Sequence, residues 1–262
     1  MTANTTLPPN HQWVETADGS FTLYSEAYQE ACHSPNGARA ETLLHYIQGC
    51  QIKEKIHLES KLSILEVGFG LGIGFLTTLD VLKDSTKPWS FLSLEIDENL
   101  LEWFRLENLA HPYLKDLKWI EKGNVKILEC QNQLIHLQIL CGDARKTLPT
   151  FIQIQNPKWN AIYQDAFSPK QNPVLWTQEW FEFLKLHSTQ DVRLSTYSAS
   201  SSIRKSLLQA GWVLHKGEKF GTKRTSTRAT LTGTSDPEIL FQLERSPTPA
   251  LSDDNIGLLL SK

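Results

Sequence analysis

The stretch LSILEVGFGLGIGF, residues 62–75, joins an apolar strand to a helix through a loop with a glycine at every second position. Glycines are needed at such a junction because the chain turns sharply there and lets a ligand approach its backbone. The dinucleotide fingerprint G-x-G-x-x-G does not fit, since the two registers place Ile73 or Phe75 where the third glycine belongs. The stretch therefore predicts a strand–loop–helix unit and argues against a nicotinamide dehydrogenase, which remains a distant alternative.

From residue 62 onward, apolar strands alternate with helical segments. The predicted strands are 62–67, 89–95, 134–141, 159–164 and 192–198, and the predicted helices lie near 73–83, 98–109, 145–155, 174–187 and 200–210. This alternation predicts an α/β fold, Rossmann-like, with a mostly parallel sheet covered by helices on both faces. Two later strands, 212–216 and 227–233, predict an antiparallel hairpin at one edge.

The remaining segments suggest how the chain is divided. The long connection 111–133 is expected to contain one short strand, VKILE. We expect a small N-terminal extension over residues 1–60, the main domain over 61–233 and a C-terminal tail over 234–262.

The composition, with 40% apolar and 21% charged residues, is that of a soluble globular protein. The start, MTANTTLPPNHQW, lacks the basic and apolar regions of a signal peptide, and the most apolar stretch carries Glu66 and Asp80, so a cytoplasmic protein without a membrane span is expected. The four cysteines form no Cys-x-x-Cys pair and the histidines no His-x-x-x-His pair. Free thiols and no metal site are therefore expected.

Charge is unevenly distributed along the chain. The net charge is −3, yet the segment from Arg204 to Arg228 carries seven basic residues and one acid, Glu218. From charge alone, this segment is either a solvated basic face or a phosphate-binding surface.

Acidic residues mark the ends of the predicted strands. Glu66 precedes the glycine loop, and Glu95, Asp143 and Asp165 end the next three parallel strands, where an open parallel sheet binds its ligand. An acid-lined pocket suits a cofactor with a ribose, an amino-acid moiety, a positive charge and no phosphates, which describes S-adenosyl-L-methionine. Taken singly, Glu95 and Asp143 are also explained as helix caps.

The arrangement E-V-G-x-G-x-G, then Glu95, then G-D-A at 142–144, resembles the class I S-adenosyl-L-methionine-dependent methyltransferases over residues 60–233. The resemblance implies a seven-stranded sheet whose last two strands form the edge hairpin. It also implies a set of cofactor-binding residues: Glu66, Gly68, Gly70, Gly72, Glu95, Asp143, Ala144 and Asp165.

Four further segments are similar to the methyltransferase domain of the MnmC family: HSPNGARAE (33–41), DAFSPKQNPVLW (165–176), YSASSSIRKSL (197–207) and KFGTKR (219–224). This resemblance, which extends over residues 15–233, implies methylation of the 5-aminomethyl group of a wobble uridine in tRNA. Two departures stand out: Cys32 replaces a tyrosine before the first motif, and Thr222 replaces a basic residue in the last.

The resemblance implies roles for residues of the segment after the fourth parallel strand and of the basic segment. Asp165 is the predicted catalytic residue, since a carboxylate captures an ammonium, orients it and helps its proton leave. The predicted substrate-binding residues are Phe167, Pro169, Asn172 and Trp176 around the base, and Lys219, Gly221, Lys223 and Arg224 along the tRNA backbone. The alternative for the first group is a proline-capped helix start with two core aromatic residues.

Two other functions fit the same sequence: an N-methyltransferase for small-molecule amines, and a tRNA-binding module without turnover. The bifunctional members of the resembled family carry a flavin-dependent domain, for which the chain has neither a second glycine fingerprint nor the length. We therefore expect the flavin-dependent activity to be absent and a separate enzyme to supply the aminomethyl substrate.

Overall fold

The computed structural model describes residues 7–17, 19, 21–33, 37–220 and 225–257. The strands are β1 (His11–Glu15), β2 (Phe21–Ser25), β3 (Glu30–Ala31), β4 (Leu62–Val67), β5 (Trp89–Glu95), β6 (Lys118–Lys122), β7 (Val125–Gln131), β8 (Ile135–Cys141), β9 (Trp159–Gln164), β10 (Ser188–Thr196), β11 (Val213–Lys219) and β12 (Thr225–Thr230). The helices are α1 (Ala38–Thr42), α2 (Ile52–Leu58), α3 (Ile73–Val81), α4 (Glu98–Glu107), α5 (Ala144–Gln155), α6 (Gln178–Leu186), α7 (Ser201–Gln209) and α8 (Pro237–Arg245). A π-helix, Leu43–Gln48, continues α1, and a 3-10 turn covers Pro173–Leu175.

The main sheet has the order β11-β12-β10-β9-β4-β5-β8-β7-β6. The five central strands, from β10 to β8, run parallel, and β11 and β12 form an antiparallel hairpin at one edge. The predicted α/β methyltransferase-like fold class is confirmed. After β4 the chain adds β5 and β8 on one side and β9 and β10 on the other, so the carboxyl ends of β4 and β9 flank the switch point where such sheets bind ligands.

The described part of the sheet has nine strands rather than seven. The additional pair, β6 and β7, comes from the connection in which the sequence predicted one strand, and it joins β8 in antiparallel orientation. Gly123 and Asn124 link the two strands as a two-residue turn, and Gly123 has a φ of 61°. Gly-Asn between two strands is a hairpin signal, so this strand was readable from the sequence.

Two apolar clusters cover the two faces of the sheet. Along β4, Leu62 and Ile64 belong to one cluster, and Leu65 and Val67 belong to the other. Burial on both faces explains why the apolar residues of this strand do not alternate strictly with polar ones.

The segments at both ends of the chain share these clusters. Ile56 of α2 packs in the cluster of Ile64, while Leu243 of α8 and Leu251 pack in the cluster of Leu65. The first three strands form a separate antiparallel sheet in the order β1-β2-β3. The division at residues 60 and 233 stays a prediction.

Candidate active site

A cavity of about 940 Å³ opens at the carboxyl edge of the sheet. Glu95 at the end of β5, Asp143 after β8 and Asp165 after β9 all line it. Parallel strands bring their carboxyl ends to one edge, so residues separated by up to 70 positions along the chain meet at one space. Three of the four predicted strand-end acids therefore share a cavity.

The glycine loop forms one wall of this cavity. Gly68 has a φ of 99°, and a Cβ on it would lie 2.7 Å from the backbone oxygen of Asp165. Any side chain at this position would push the loop away from the Asp165 backbone. Gly70 also lines the cavity, whereas Gly72 is the N-cap of α3, where a Cβ would collide with Phe104.

Glu95 is held by backbone amides. Its Oε2 accepts a hydrogen bond from the Gly70 amide (3.0 Å), and its Oε1 accepts from the amides of Ile96 (2.9 Å) and Asp97 (3.0 Å). Burial raises the pKa of Glu95, and these hydrogen bonds oppose the rise. Asp97, not Glu95, caps α4, so the helix-cap alternative does not account for Glu95.

Asp143 fits the helix-cap alternative. Its Oδ1 accepts from the Arg145 amide (3.0 Å) at the start of α5, and its Oδ2 lies 3.3 Å from the Lys146 ammonium. Asp143 and Ala144 nevertheless line the cavity. A cap and a cavity wall are compatible here because the helix begins at the edge of the sheet.

Glu66 lies outside the cavity lining, beneath the glycine loop. The residue is 1% exposed, and its Oε2 accepts a hydrogen bond from the Ser93 hydroxyl (2.7 Å). Burial raises its pKa well above the usual range, and the charges of Asp165 and Glu95 raise it further. The Glu66 carboxylate therefore does not line this cavity, and its cofactor-binding role stays a prediction.

Asp165 contacts a residue that the sequence analysis missed. The hydroxyl of Tyr46, in the π-helix, donates to Asp165 Oδ1 at 2.5 Å. Burial raises the pKa of Tyr46 well above its usual value, and the Asp165 charge adds to this rise. The phenol therefore stays protonated and remains a donor to the carboxylate.

The loop after β9 contributes two of its four predicted residues to the cavity, Phe167 and Asn172. Pro169 and Trp176 lie outside the lining. Trp176 was predicted to offer a stacking surface, and this is wrong: the residue is 0% exposed and its indole N–H donates to the Phe167 carbonyl at 2.8 Å. It belongs to the core, as the alternative held, and it supports the loop from below.

The N-terminal sheet supplies further residues that the sequence analysis missed. Tyr28 stacks on Phe167, with ring centroids 4.4 Å apart, and both line the cavity. Glu30 accepts hydrogen bonds from the amide (3.1 Å) and hydroxyl (2.8 Å) of Ser168. Burial raises the pKa of the Cys32 thiol, and the charges of Glu95 and Asp165 raise it further. Both carboxylates therefore lie close enough to Cys32 to affect its thiol.

The basic segment is partly consumed by the fold. The Arg204 guanidinium is buried and donates to Thr227 (2.9 Å), and the Lys216 ammonium pairs with Glu238 at 3.0 Å. Lys219, at the end of β11, is exposed. The predicted contacts Gly221, Lys223 and Arg224 lie outside the described residues.

Two comparisons with known proteins indicate which class of enzyme this is. A family model described as S-adenosyl-L-methionine-dependent methyltransferase matches residues 105–232. The crystal structure of MnmC2 from Aquifex aeolicus aligns with a TM-score of 0.75 and 27% identity over 99% of this chain and 84% of that chain. These findings show an S-adenosyl-L-methionine-dependent methyltransferase.

Two curated proteins are also similar to this methyltransferase. The MnmC tRNA 5-methylaminomethyl-2-thiouridine biosynthesis bifunctional protein of Paraburkholderia phymatum is 29% identical over 87% of the chain and 36% of its own length. An uncharacterised protein of Methanocaldococcus jannaschii is 29% identical over 85% of the chain and 60% of its own length. The methyltransferase thus spans only part of the length of these relatives.

The cavity of the methyltransferase fits its cofactor by the chemistry of its groups. An ionised carboxylate has about four acceptor positions, so Glu95 retains capacity for one ribose hydroxyl beside its three amide donors. A Cβ on Gly70 would fill the space toward Cys32, 3.9 Å from its Cβ, and the glycine leaves this space open. Asp97, Asp143 and Asp165 favour a cationic ligand and disfavour phosphates.

Two negative findings concern the described part of the chain. No group of three or more His, Cys, Asp or Glu side chains there is arranged to hold a metal ion. No helix in those residues is both long and apolar enough to span a bilayer.

Proposed function

We propose that this methyltransferase converts 5-aminomethyluridine, or its 2-thio form, to the 5-methylaminomethyl nucleoside at the wobble position of tRNA. The carrying observation is that Asp165, beside a loop similar to that of the MnmC family, lines the same cavity as Glu95. The name of the P. phymatum relative and the overall similarity to the A. aeolicus structure support the same reaction.

Asp165 is proposed to prepare the amine. A primary alkylamine is mostly protonated near neutral pH, whereas the nucleophile must present a free lone pair. The Asp165 carboxylate binds the ammonium, orients its nitrogen and accepts or passes on its proton. Holding the nitrogen in line with the methyl donor contributes on the order of 7–11 kcal/mol toward lowering the barrier.

When bound, S-adenosyl-L-methionine supplies a sulfonium methyl group: the amine lone pair forms the new N–C bond as the C–S bond breaks and its electron pair stays on sulfur. Glu95 and the Gly68–Gly70 loop hold the donor, and Asp165 holds the acceptor. The stacked rings of Tyr28 and Phe167 form an apolar part of the cavity wall. The secondary amine leaves as an ammonium after the reaction, since its pKa exceeds neutral pH.

Recognition of the base and the tRNA backbone completes the proposal. Phe167 offers an aromatic edge to a flipped uridine, and Asn172 offers hydrogen bonds. Lys219, Lys223 and Arg224 are proposed to bind backbone phosphates. These cations are needed locally because the whole chain is negatively charged.

The proposed reaction requires a second activity. Methyl transfer adds a carbon to an existing amine and does not create that amine, so another activity has to supply the aminomethyl group, and we propose a separate enzyme for it. We place both steps in the cytoplasm, where the tRNA substrate resides.

The direct test combines the protein with methyl-labelled cofactor and tRNA that lacks only the final methyl group, followed by nucleoside analysis. Label in 5-methylaminomethyl(-2-thio)uridine is the expected result. Transfer to free alkylamines with equal efficiency, and no requirement for Lys223 and Arg224, would instead favour a small-molecule N-methyltransferase.

Asp165→Asn is expected to lower methyl transfer by about 10²–10⁴-fold, because the amide neither stabilises the ammonium nor accepts its proton. Cofactor affinity, measured by titration calorimetry, is expected to stay within a few-fold of the unmodified protein. Asp84→Asn removes an exposed acid outside the cavity and serves as the control. Full activity of Asp165→Asn would refute the role assigned to Asp165.

A further inference from the structure

We propose that Tyr46 is a positioning residue that fixes the Asp165 carboxylate for the incoming amine; the inference rests on the proposed function. Tyr46 is 1% exposed, and its hydroxyl donates to Asp165 Oδ1 at 2.5 Å. The two residues are 119 positions apart in the sequence, and Tyr46 is not part of the cavity lining. It therefore acts through Asp165 and not through contact with the substrate.

The π-helix Leu43–Gln48 holds Tyr46 against the sheet. The Ser195 hydroxyl, on β10, donates to the His45 carbonyl. A Cβ on Gly49 would lie 2.0 Å from that carbonyl oxygen and 2.3 Å from Ser195 Oγ, so only glycine permits this close seat. Single π-turns within helices occur frequently at functional sites, where they redirect one side chain.

The ring of Tyr46 is fixed independently of its hydroxyl. It stacks on Tyr163 of β9, with ring centroids 5.2 Å apart and an interplanar angle of 25°. The Tyr163 hydroxyl lies 3.2 Å from the Thr78 hydroxyl. Tyr46 and Tyr163 are thus adjacent buried phenols with different hydrogen-bond partners. Tyr46 bonds to Asp165, and Tyr163 bonds to Thr78.

The bond has two consequences for Asp165. It restricts rotation of the carboxylate, and it favours the ionised form, since a donor to a carboxylate stabilises the anion. The phenol does not give up its proton, because burial and the Asp165 charge both raise its pKa. An oriented anion facing a cavity is the arrangement that captures an ammonium ion.

Other titratable groups surround Asp165. The charge of Asp165 raises the pKa of Cys32, Glu66 and Tyr197, which approach from the N-terminal sheet, from β4 and from the end of β10. The Glu41 charge also raises the pKa of Tyr46 and Tyr197. Among these groups, the Tyr46 hydroxyl is a hydrogen-bond donor to the Asp165 carboxylate.

Tyr46→Phe and the matched control Tyr163→Phe each remove one buried hydroxyl from the same stack. We expect Tyr46→Phe to lower kcat for methylation of aminomethyl-tRNA by on the order of tenfold to a hundredfold. The acid limb of its pH profile is expected to move upward by about one pH unit, while cofactor affinity by calorimetry is unchanged. Tyr163→Phe is expected to leave the acid limb in place. Equal pH profiles for both variants and the unmodified protein would overturn the inference.

A second variant keeps the inference testable if Tyr46→Phe does not fold. Replacement of Tyr46 by 3-fluorotyrosine retains the ring and makes the hydroxyl a stronger donor, so the acid limb is expected to move downward. In an Asp165→Asn background, the Tyr46→Phe change is expected to have little further effect, since Tyr46 acts through the carboxylate. An additive loss would show a merely structural role.

The proposed function and this inference fail in different ways. If the unmodified protein does not methylate aminomethyl-tRNA, the proposed function is wrong. If it does, and the acid limb of Tyr46→Phe is unmoved, only the positioning role is wrong.

Discussion

At the scale of single residues, Glu66 and Gly74 explain part of the glycine loop. A Cβ on Gly74 would lie 1.8 Å from Glu66 Oε1, so the fourth glycine of the loop makes room for a buried carboxylate and not for a ligand. Glu66 is bonded to Ser93 and lies behind the cavity. An acid in the stretch that decides the fold is thus a buried structural group.

Glu66→Gln is expected to stabilise the protein increasingly as pH rises. Burial raises the pKa of Glu66 in the folded state above its usual value of 4.5. Below pH 4.5, Glu66 is protonated in both the folded and the unfolded protein. Above that pH, only the unfolded protein releases the Glu66 proton. The free energy of unfolding therefore falls as pH rises, until the pH passes the raised pKa of the folded protein. Glutamine has no proton to release, and its carbonyl still accepts from Ser93.

The measurement is urea unfolding of both proteins from about pH 4 to about pH 8. The exposed acid Glu54 provides the control, since Glu54→Gln should give no pH-dependent difference. A stability difference for Glu66→Gln that stays constant across this range would contradict the prediction.

At the scale of elements, the N-terminal sheet is fastened to the loop after β9 by two contacts. Glu30 accepts two hydrogen bonds from Ser168, and Tyr28 stacks on Phe167. Charge-assisted hydrogen bonds are stronger than neutral ones, so Glu30 is the more important attachment. The loop that carries Asp165 depends on a sheet formed more than 130 residues earlier in the chain.

Glu30→Ala is expected to increase amide hydrogen exchange in residues 165–172 by on the order of tenfold. The variant lacks the two hydrogen bonds to Ser168, so the free energy needed to open the loop locally is lower. Hydrogen-exchange mass spectrometry measures the effect. Glu26→Ala is the control: this nearby acid is exposed and bonds to Gln12, away from the loop. Unchanged exchange in Glu30→Ala would mean that the loop is held by other contacts.

At the scale of the whole molecule, the distribution of charge decides where a polyanion binds. The fold pairs Lys216 with Glu238 and buries Arg204, so much of the basic segment is used internally. Phe220 packs edge-on to His45, the neighbour of Tyr46, at 5.8 Å between ring centroids. Phe220 therefore lies close to the π-helix that holds Tyr46.

Replacing Lys219, Lys223 and Arg224 together by alanine is expected to weaken tRNA binding and to reduce its dependence on salt. Each lost phosphate contact should lower the slope of log K against log salt by roughly 0.7–0.9. Binding isotherms at several salt concentrations give the slope. Lys216→Ala, whose ammonium pairs with Glu238, is the control and should leave it unchanged. An unaltered slope in the triple variant would place the tRNA elsewhere.

Much of the fold was predictable because burial on both sheet faces leaves a direct trace in the sequence. Four of the five parallel strands, β4, β5, β8 and β9, are mostly apolar, and Glu95 ends one of them while Asp165 directly follows another. Prediction was wrong for Trp176, because an aromatic residue beside prolines is equally typical of a core helix start. It missed the β6 strand although Gly123 and Asn124 mark its turn.

By itself, the sequence determined three features: the α/β fold class, the glycine loop after the first parallel strand, and acidic residues at the strand ends. Those features depend on local periodicity and on residue type, which are visible along one chain. Only the tertiary structure decided that Glu66 lies behind the loop while Glu95 and Asp165 face one cavity. It also decided that Tyr46 bonds to Asp165, because contacts between distant residues depend on how helices and strands pack and leave no periodic pattern.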